Sequence, residues 1–143
     1  MSQENVDVMR RNLEAWQMDD LEAFMAGIHP AIEWHAVLER LVEGPQSVYR
    51  GHEGVRRLWH TYRTDLDGFK AEVEEIRDVG GDRVLFLGRI RWRGVASGIE
   101  TESPFAMVIT FRDGKMFHSV DYLSREEALE ALGLSQQDAH ADS

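Results

Sequence analysis

The residues able to move a proton or hold a ligand gather in two places. In FHSVDYL, residues 117–123, alternation puts Phe117, Ser119, Asp121 and Leu123 on one side and Met116, His118, Val120 and Tyr122 on the other. If the first set turns inward, Asp121 is a carboxyl in an apolar enclosure. Desolvation there raises its pKa and suits it to acid/base work. The alternative is a carboxylate near a strand end that bonds a loop amide or an arginine and does no chemistry. The second place is HPAIEWHAVLERLVEGPQSVYRGHEGVRRLW, residues 29–59, with three of the six histidines and two of the four tryptophans. Trp34 alternates with Glu33 and His35, so an inward Trp34 turns His35 away. A histidine in reach of Asp121 would complete an acid/base pair; the alternative for His35 is a surface or dimer-facing side chain.

His29, before Pro30, caps or stacks in a turn; His52 opens a helix; His60 flanks Trp59. No histidine spacing resembles H-E-x-x-H, and no G-x-G-x-x-G or phosphate-binding loop occurs. No metal, cofactor or nucleotide is therefore expected. YRGHEGVRR owes its glycines to a tight loop-to-helix junction. Glu53 falls in the first helical turn, where the dipole favours it, and Arg56, Arg57 and Arg63 fall on solvent-facing positions.

Trp16, Trp34, Trp59, Tyr62, Phe86, Trp92 and Phe105 form an aromatic set. Such rings either fill a core or line a cavity, where flat walls suit flat organic ligands. In GRIRWRG, Arg89, Arg91 and Arg93 alternate with Phe86, Gly88, Ile90 and Trp92 as the inward side. Glu100 and Glu102 on the next strand are placed to pair with these arginines. The bland reading is a charged outer face beside a dimer contact; the other is a grip on an anionic substrate.

These side chains need elements to position them. Val6, Met9, Leu13 and Trp16 recur at helical spacing, with Ser2 and Asn5 as capping candidates. A second helix spans Asp20 to Ala26, capped by Asp19 or Asp20 and stopped by Gly27. Pro30 breaks the pattern, and Ile32 to Val37 alternates as a strand. Residues 38–50 read as loop, with a helical turn at Leu38 to Val42. A third helix runs from about His52 to Asp65, with Val55, Leu58, Trp59 and Tyr62 on one side. Strands follow at Lys70 to Val79, Arg83 to Arg93 and Ile99 to Arg112, the last ended by the hairpin signal Asp113-Gly114. Met116 to Leu123 is a further strand. Ser124 to Glu127 then forms a capping box before a helix carrying Ala128, Leu129 and Leu132, closed by Gly133. The order α-α-β-α-β-β-β-β-α implies an α+β fold: a curved antiparallel sheet wrapped by N-terminal helices into a cone with an internal pocket. Residues 1–134 form one domain, and 135–143 form a polar tail that frays.

The chain has 143 residues, enough for one core, and carries a formal charge of −10 from 26 acidic and 16 basic side chains. Nucleic acid and anionic membrane are poor partners for such a surface. There is no cysteine, which excludes disulfides and thiolate chemistry. With no apolar stretch of spanning length and no signal-peptide pattern, a soluble cytoplasmic protein is expected.

HPAIEW, YRGHEGVRRLW and FRDGKMFHSVDYLSREEALEALG, in this order of elements, resemble the SnoaL-like branch of the nuclear transport factor 2-like superfamily over roughly Asn5 to Leu134. That superfamily includes polyketide cyclases, ketosteroid isomerases, epoxide hydrolases, dehydratases and non-catalytic members, so fold alone does not name a function. The resemblance implies that Trp34, Leu58, Trp59, Phe86, Phe105, Met107, Ser119 and Asp121 face the pocket. It also implies homodimerisation through the outer sheet face. Ketosteroid isomerases carry their base just after a Val-Glu pair on the first strand; here Ile32-Glu33 is followed by Trp34, which cannot shuttle a proton at neutral pH. Their oxyanion-hole positions match Asn12 and Met107, so that chemistry is lost. SnoaL-type cyclases use an acid near the end of the sheet. Asp121 is the nearest candidate, and Ser124 is the other position that could match. The expected ligand is a small apolar or aromatic organic molecule, positioned by Asn12, Trp16, Trp34, Leu58, Trp59, Tyr62, Phe86, Phe105, Met107 and Ser119. Either an isomerase, cyclase or hydrolase with Asp121 as acid/base, or a binding or scaffold module, fits this reading.

Overall fold

Two hairpins draw the last four strands into one surface. Gly81-Asp82 and Asp113-Gly114 both adopt positive φ at their two central residues. That is the twist a two-residue connection needs between antiparallel strands, and Asp and Gly tolerate it. The computed structural model describes residues 2–37, 47–95 and 97–133. Among these residues the chain forms α1 (Ser2–Gln17), α2 (Leu21–Ala26), β1 (Ile28–Ala36), β2 (Ser47–Arg50), α3 (Gly51–Asp65), β3 (Leu66–Gly80), β4 (Arg83–Gly94), β5 (Glu100–Arg112), β6 (Lys115–Tyr122) and α4 (Arg125–Ala131). The strands make one curved, unclosed sheet in the order β2-β1-β6-β5-β4-β3. Neighbours are antiparallel except β1 and β6, which run parallel.

The helices form as their sequences require. Asp20 caps α2 by accepting from the Ala23 amide at 3.1 Å, and Gly27 ends it. Ser124 caps α4 by accepting from the Glu127 amide at 3.3 Å. That bond gives Ser124 a structural role. The apolar sides of α1, α2 and α3 meet the concave face of the sheet in one core that includes Met9, Phe24, Ile32, Leu58, Phe86 and Ile109. A smaller cluster lies on the opposite face, where Ala128 and Leu129 of α4 cover Leu85, Leu87 and Ala106. This explains why β4 is buried on both sides along Val84 to Leu87.

Several expectations need correction. Part of the expected loop is a strand: β2 pairs with β1, with Glu33 opposite Arg50 and His35 opposite Val48. Four residues are too few for a periodic signal to show. Residues 38–46, including the expected turn at Leu38 to Val42, lie outside the described residues, as do residues 134–143, which include the expected tail at 135–143. Pro30 does not end the regular structure. It sits inside β1, in the irregular stretch between Ile28 and Glu33, where a missing N–H costs the ladder little. β3 starts at Leu66 rather than Lys70, because a second irregularity between Asp67 and Lys70 carries the strand through Gly68. A bulge also changes the alternation of β6. The register shift places Thr110 opposite His118 but Phe111 opposite Met116, leaving Phe117 as the extra residue. Met116 is therefore buried in the core, while Phe117 stacks edge-on against His29 and under the Arg112 guanidinium.

Two of the three ladder arginines pair with the expected glutamates, and the third does not. Arg89 bonds Glu102 at 2.7 Å and Arg93 lies 3.9 Å from Glu100, while Arg91 reaches back to Glu72 of β3 at 2.5 Å. These pairs are well exposed, so each contributes about 0–1 kcal/mol and chiefly holds register.

Candidate functional site

Four strands supply one row of inward side chains. Asp121 of β6 sits opposite Met107 of β5, Met107 opposite Phe86 of β4, and Phe86 opposite Ile76 of β3. The next row sets Trp34 of β1 opposite Ser119 of β6. Trp34 and Asp121 are thus diagonal neighbours, within reach for a side chain as long as indole. The Trp34 Nε1–H donates to Asp121 Oδ1 at 3.0 Å, and both residues are buried.

Asp121 is 2 % exposed. Burial pushes its carboxyl well above the usual carboxylate range; the Trp34 hydrogen bond, which favours the charged form, opposes this and is the smaller influence. A carboxyl so placed holds its proton into a range where ordinary aspartates are charged, and so can donate a hydrogen bond or a proton.

The carboxyl faces a chamber of about 50 Å³. Its walls are largely apolar, with Met9, Leu13 and Trp16 of α1, Phe24 of α2, and Leu58 and Tyr62 of α3 facing Phe86, Phe105 and Met107 of the sheet. Asn12 is the second buried polar residue of the wall, its Nδ2 donating to the Phe24 carbonyl at 3.0 Å. Outside lies a groove of about 620 Å³ that shares Trp16, Tyr62, Phe69 and Ala71 with the chamber. Those shared side chains are the partition between the two spaces.

Of the residues singled out in the sequence, Asn12, Trp16, Trp34, Leu58, Tyr62, Phe86, Phe105, Met107 and Asp121 meet at this chamber. Trp59 and Ser119 do not line it. Trp59 is packed behind the wall against Trp16 and Phe24, with ring centroids 5.3 and 4.9 Å away. Ser119 is enclosed in the core one row deeper, and its Oγ finds no hydrogen-bond partner among the described residues. His35 lies on the other face of β1 from Trp34. Its Nε2 is 2.9 Å from Glu33 Oε2, on the face opposite the one that carries Trp34 to Asp121.

Several wall residues escaped the sequence reading. Met9 and Leu13 flank Asn12 on the helix face already read as apolar; Phe69 and Ala71 were hidden by the irregular start of β3. Arg63 is not solvent-facing as expected. Its guanidinium lies 3.4 Å from the Trp59 ring centre and 4.5 Å from that of Trp16, and bonds Asp19 at 2.6 Å and the Trp16 carbonyl at 2.9 Å. It clamps α3 to the end of α1 at the rim of the groove.

A second cluster joins residues far apart in sequence. Glu33, His35 and His118 bring one carboxylate oxygen and two imidazole nitrogens within 4.8 Å of one another on the outer side of β1 and β6. No short histidine spacing announces it, since the parallel pairing of β1 with β6 creates it.

This fold and chamber define an NTF2-like cone. The chain belongs to the SnoaL-like domain family, which matches residues 9–119. No curated protein matches the chain. Among solved structures it is similar to an NTF2-like protein of unknown function from Burkholderia pseudomallei, at 22 % identity and a TM-score of 0.75 over 89 % of this chain and 95 % of that one. It is also similar to TerC co-crystallised with polyporic acid, at 23 % identity and TM-score 0.73 over 91 % and 98 %. A third is an LEH-like epoxide hydrolase from M. tuberculosis, at 18 % identity and TM-score 0.68 over 86 % and 80 %. At these identities the likeness is one of fold. Among the described residues, no helix is long and apolar enough to cross a membrane.

Proposed function

We propose that the chain binds a small, largely apolar or aromatic organic molecule in the chamber, and that Asp121 acts on it as a general acid. The observation that carries this reading is a carboxyl, 2 % exposed, set in an apolar wall with Trp34 as its donor. The chamber alone is smaller than the roughly 300–1,000 Å³ usual for organic ligands. A ligand with its polar end at Asp121 and Asn12 therefore extends toward the groove by turning Phe69 or Tyr62 aside. Neighbours of this fold that hold polyporic acid or open epoxides make a cyclic molecule with an oxygen function a reasonable first probe. The reaction class that fits is one in which a carbonyl, enol or epoxide oxygen takes a proton. Dimerisation through the outer sheet face, at or beside the Arg89, Arg91 and Arg93 ladder of β4, is part of the same proposal, and sedimentation measures it.

The second reading is a binder without chemistry, favoured by a chamber wall that is largely apolar. Asp121→Asn separates the two. With a panel of quinones, phenols and cyclic epoxides, an enzyme loses turnover while retaining binding. A binder keeps its thermal shift and shows no turnover in either form. No binding by the wild type across the panel contradicts both.

A further inference from the structure

Outside the chamber, the Glu33, His35 and His118 cluster is the arrangement of side chains with the most specific chemistry. We infer that Glu33, His35 and His118 form a binding site for a divalent transition-metal cation of the zinc type on the outer face of the sheet.

Position comes from the backbone. Glu33 and His35 are two residues apart on β1 and so share a face, and His118 on β6 stands directly opposite Glu33 in the parallel register. All three ligands thus rise from two hydrogen-bonded strands, a more rigid base than a loop. His35 Nε2 and His118 Nε2 converge on the same atom, Glu33 Oε2, at 2.9 and 3.4 Å.

The distances suit a small cation. Zinc bonds of about 2.0–2.2 Å to N and O in tetrahedral geometry put the donors about 3.3–3.5 Å apart. The His118 to Glu33 separation already has that value. The His35 to Glu33 separation must open by roughly half an ångström, a side-chain adjustment. Two imidazoles with one carboxylate favour zinc, nickel or copper over calcium or magnesium, which take all-oxygen sets.

Glu33 is also aimed. Arg50 of β2 holds its other oxygen, Oε1, at 3.2 Å through both Nε and Nη2. This leaves Oε2 toward the imidazoles, as outer partners do for carboxylate ligands. The guanidinium charge also weakens attraction for a cation, so the site is weaker than a closed four-ligand one. The ligand side chains are 27, 34 and 41 % exposed, which lets an ion enter and leaves its remaining position to water. The site is separate from the chamber, because Trp34, between Glu33 and His35, points through the opposite face.

The test is zinc titration of protein freed of any affinity tag, by calorimetry, with visible absorption of the cobalt form as a measure of coordination. One ion per chain is expected. His118→Ala and His35→Ala should each weaken binding by more than the ~10–100-fold typical of losing a supporting partner. His60→Ala, at an exposed site outside the cluster, should bind as wild type does. Thermal unfolding of each variant confirms that it is folded, which partial exposure of these histidines favours. Absence of saturable binding in the wild type, or equal affinity in folded His118→Ala, overturns the inference.

Discussion

At the scale of single residues, the consequence of burying Asp121 is a stability that depends on pH. Its folded pKa is raised above its unfolded value, so in the interval between them the folded state binds more protons than the unfolded chain. Stability from this group is full below the unfolded value, about 3.9, and falls as pH rises through that interval. Asp121→Asn cannot ionise and removes this loss. Thermal midpoints measured against pH should show the variant gaining on the wild type from about pH 4 upward, and standing above it at neutral pH. Trp34→Phe keeps a ring but deletes the one hydrogen bond shown to favour the charged form, so the Asp121 pKa should rise further. Carboxyl titration by NMR reads that shift. Asp121 was legible in the sequence because alternation set it on one face of its strand and the resemblance to SnoaL-like proteins implied that this face turns inward. Ser119, on the same face, could not be separated from it in that way, since which row opens on the cavity depends on the helices above.

At the scale of elements, Gly88 lets β4 lie close against β3. A Cβ there would run into the Glu72 carbonyl of β3, beside the irregularity between Val73 and Glu75. Gly88→Ala should therefore destabilise the chain by about 1–3 kcal/mol, as overpacking does, and denaturant titration gives the value. Asp20→Ala removes the cap of α2 and should cost about 1 kcal/mol in the same measurement. Helix caps and hairpins were readable because single residue types satisfy them: Asp20, Ser124 and the Asp-Gly turn. β2 was not, because four residues give no periodicity. The bulge at Phe117 was also hidden: it depends on how β6 pairs with β5, which strict alternation within β6 does not encode.

At the scale of the whole molecule, the α+β cone followed from amphipathic helices at the start and hairpin-linked strands after them, and the SnoaL-like family confirms it. Which rings wall its pocket did not follow fully, since the aromatic set serves both as wall and as filling. Trp16 and Tyr62 line the space, whereas Trp59 packs behind them under Arg63. The partition between chamber and groove sets which ligands fit. Phe69→Ala should join the two spaces and tighten binding of ligands too large for the chamber, with less loss of stability than the 3–5 kcal/mol of a fully buried Phe→Ala, because Phe69 is only partly buried. Calorimetry of one small and one large quinone checks this size dependence. The most direct test of the central claim is a 13C NMR titration of the Asp121 carboxyl without ligand, assigned by comparison with Asp121→Asn. The account requires it to stay protonated through the range in which ordinary aspartates, near pKa ~3.9, lose their proton. Titration at that ordinary value would mean a hydrated, charged carboxylate, and Asp121 could not then be the acid of this chamber.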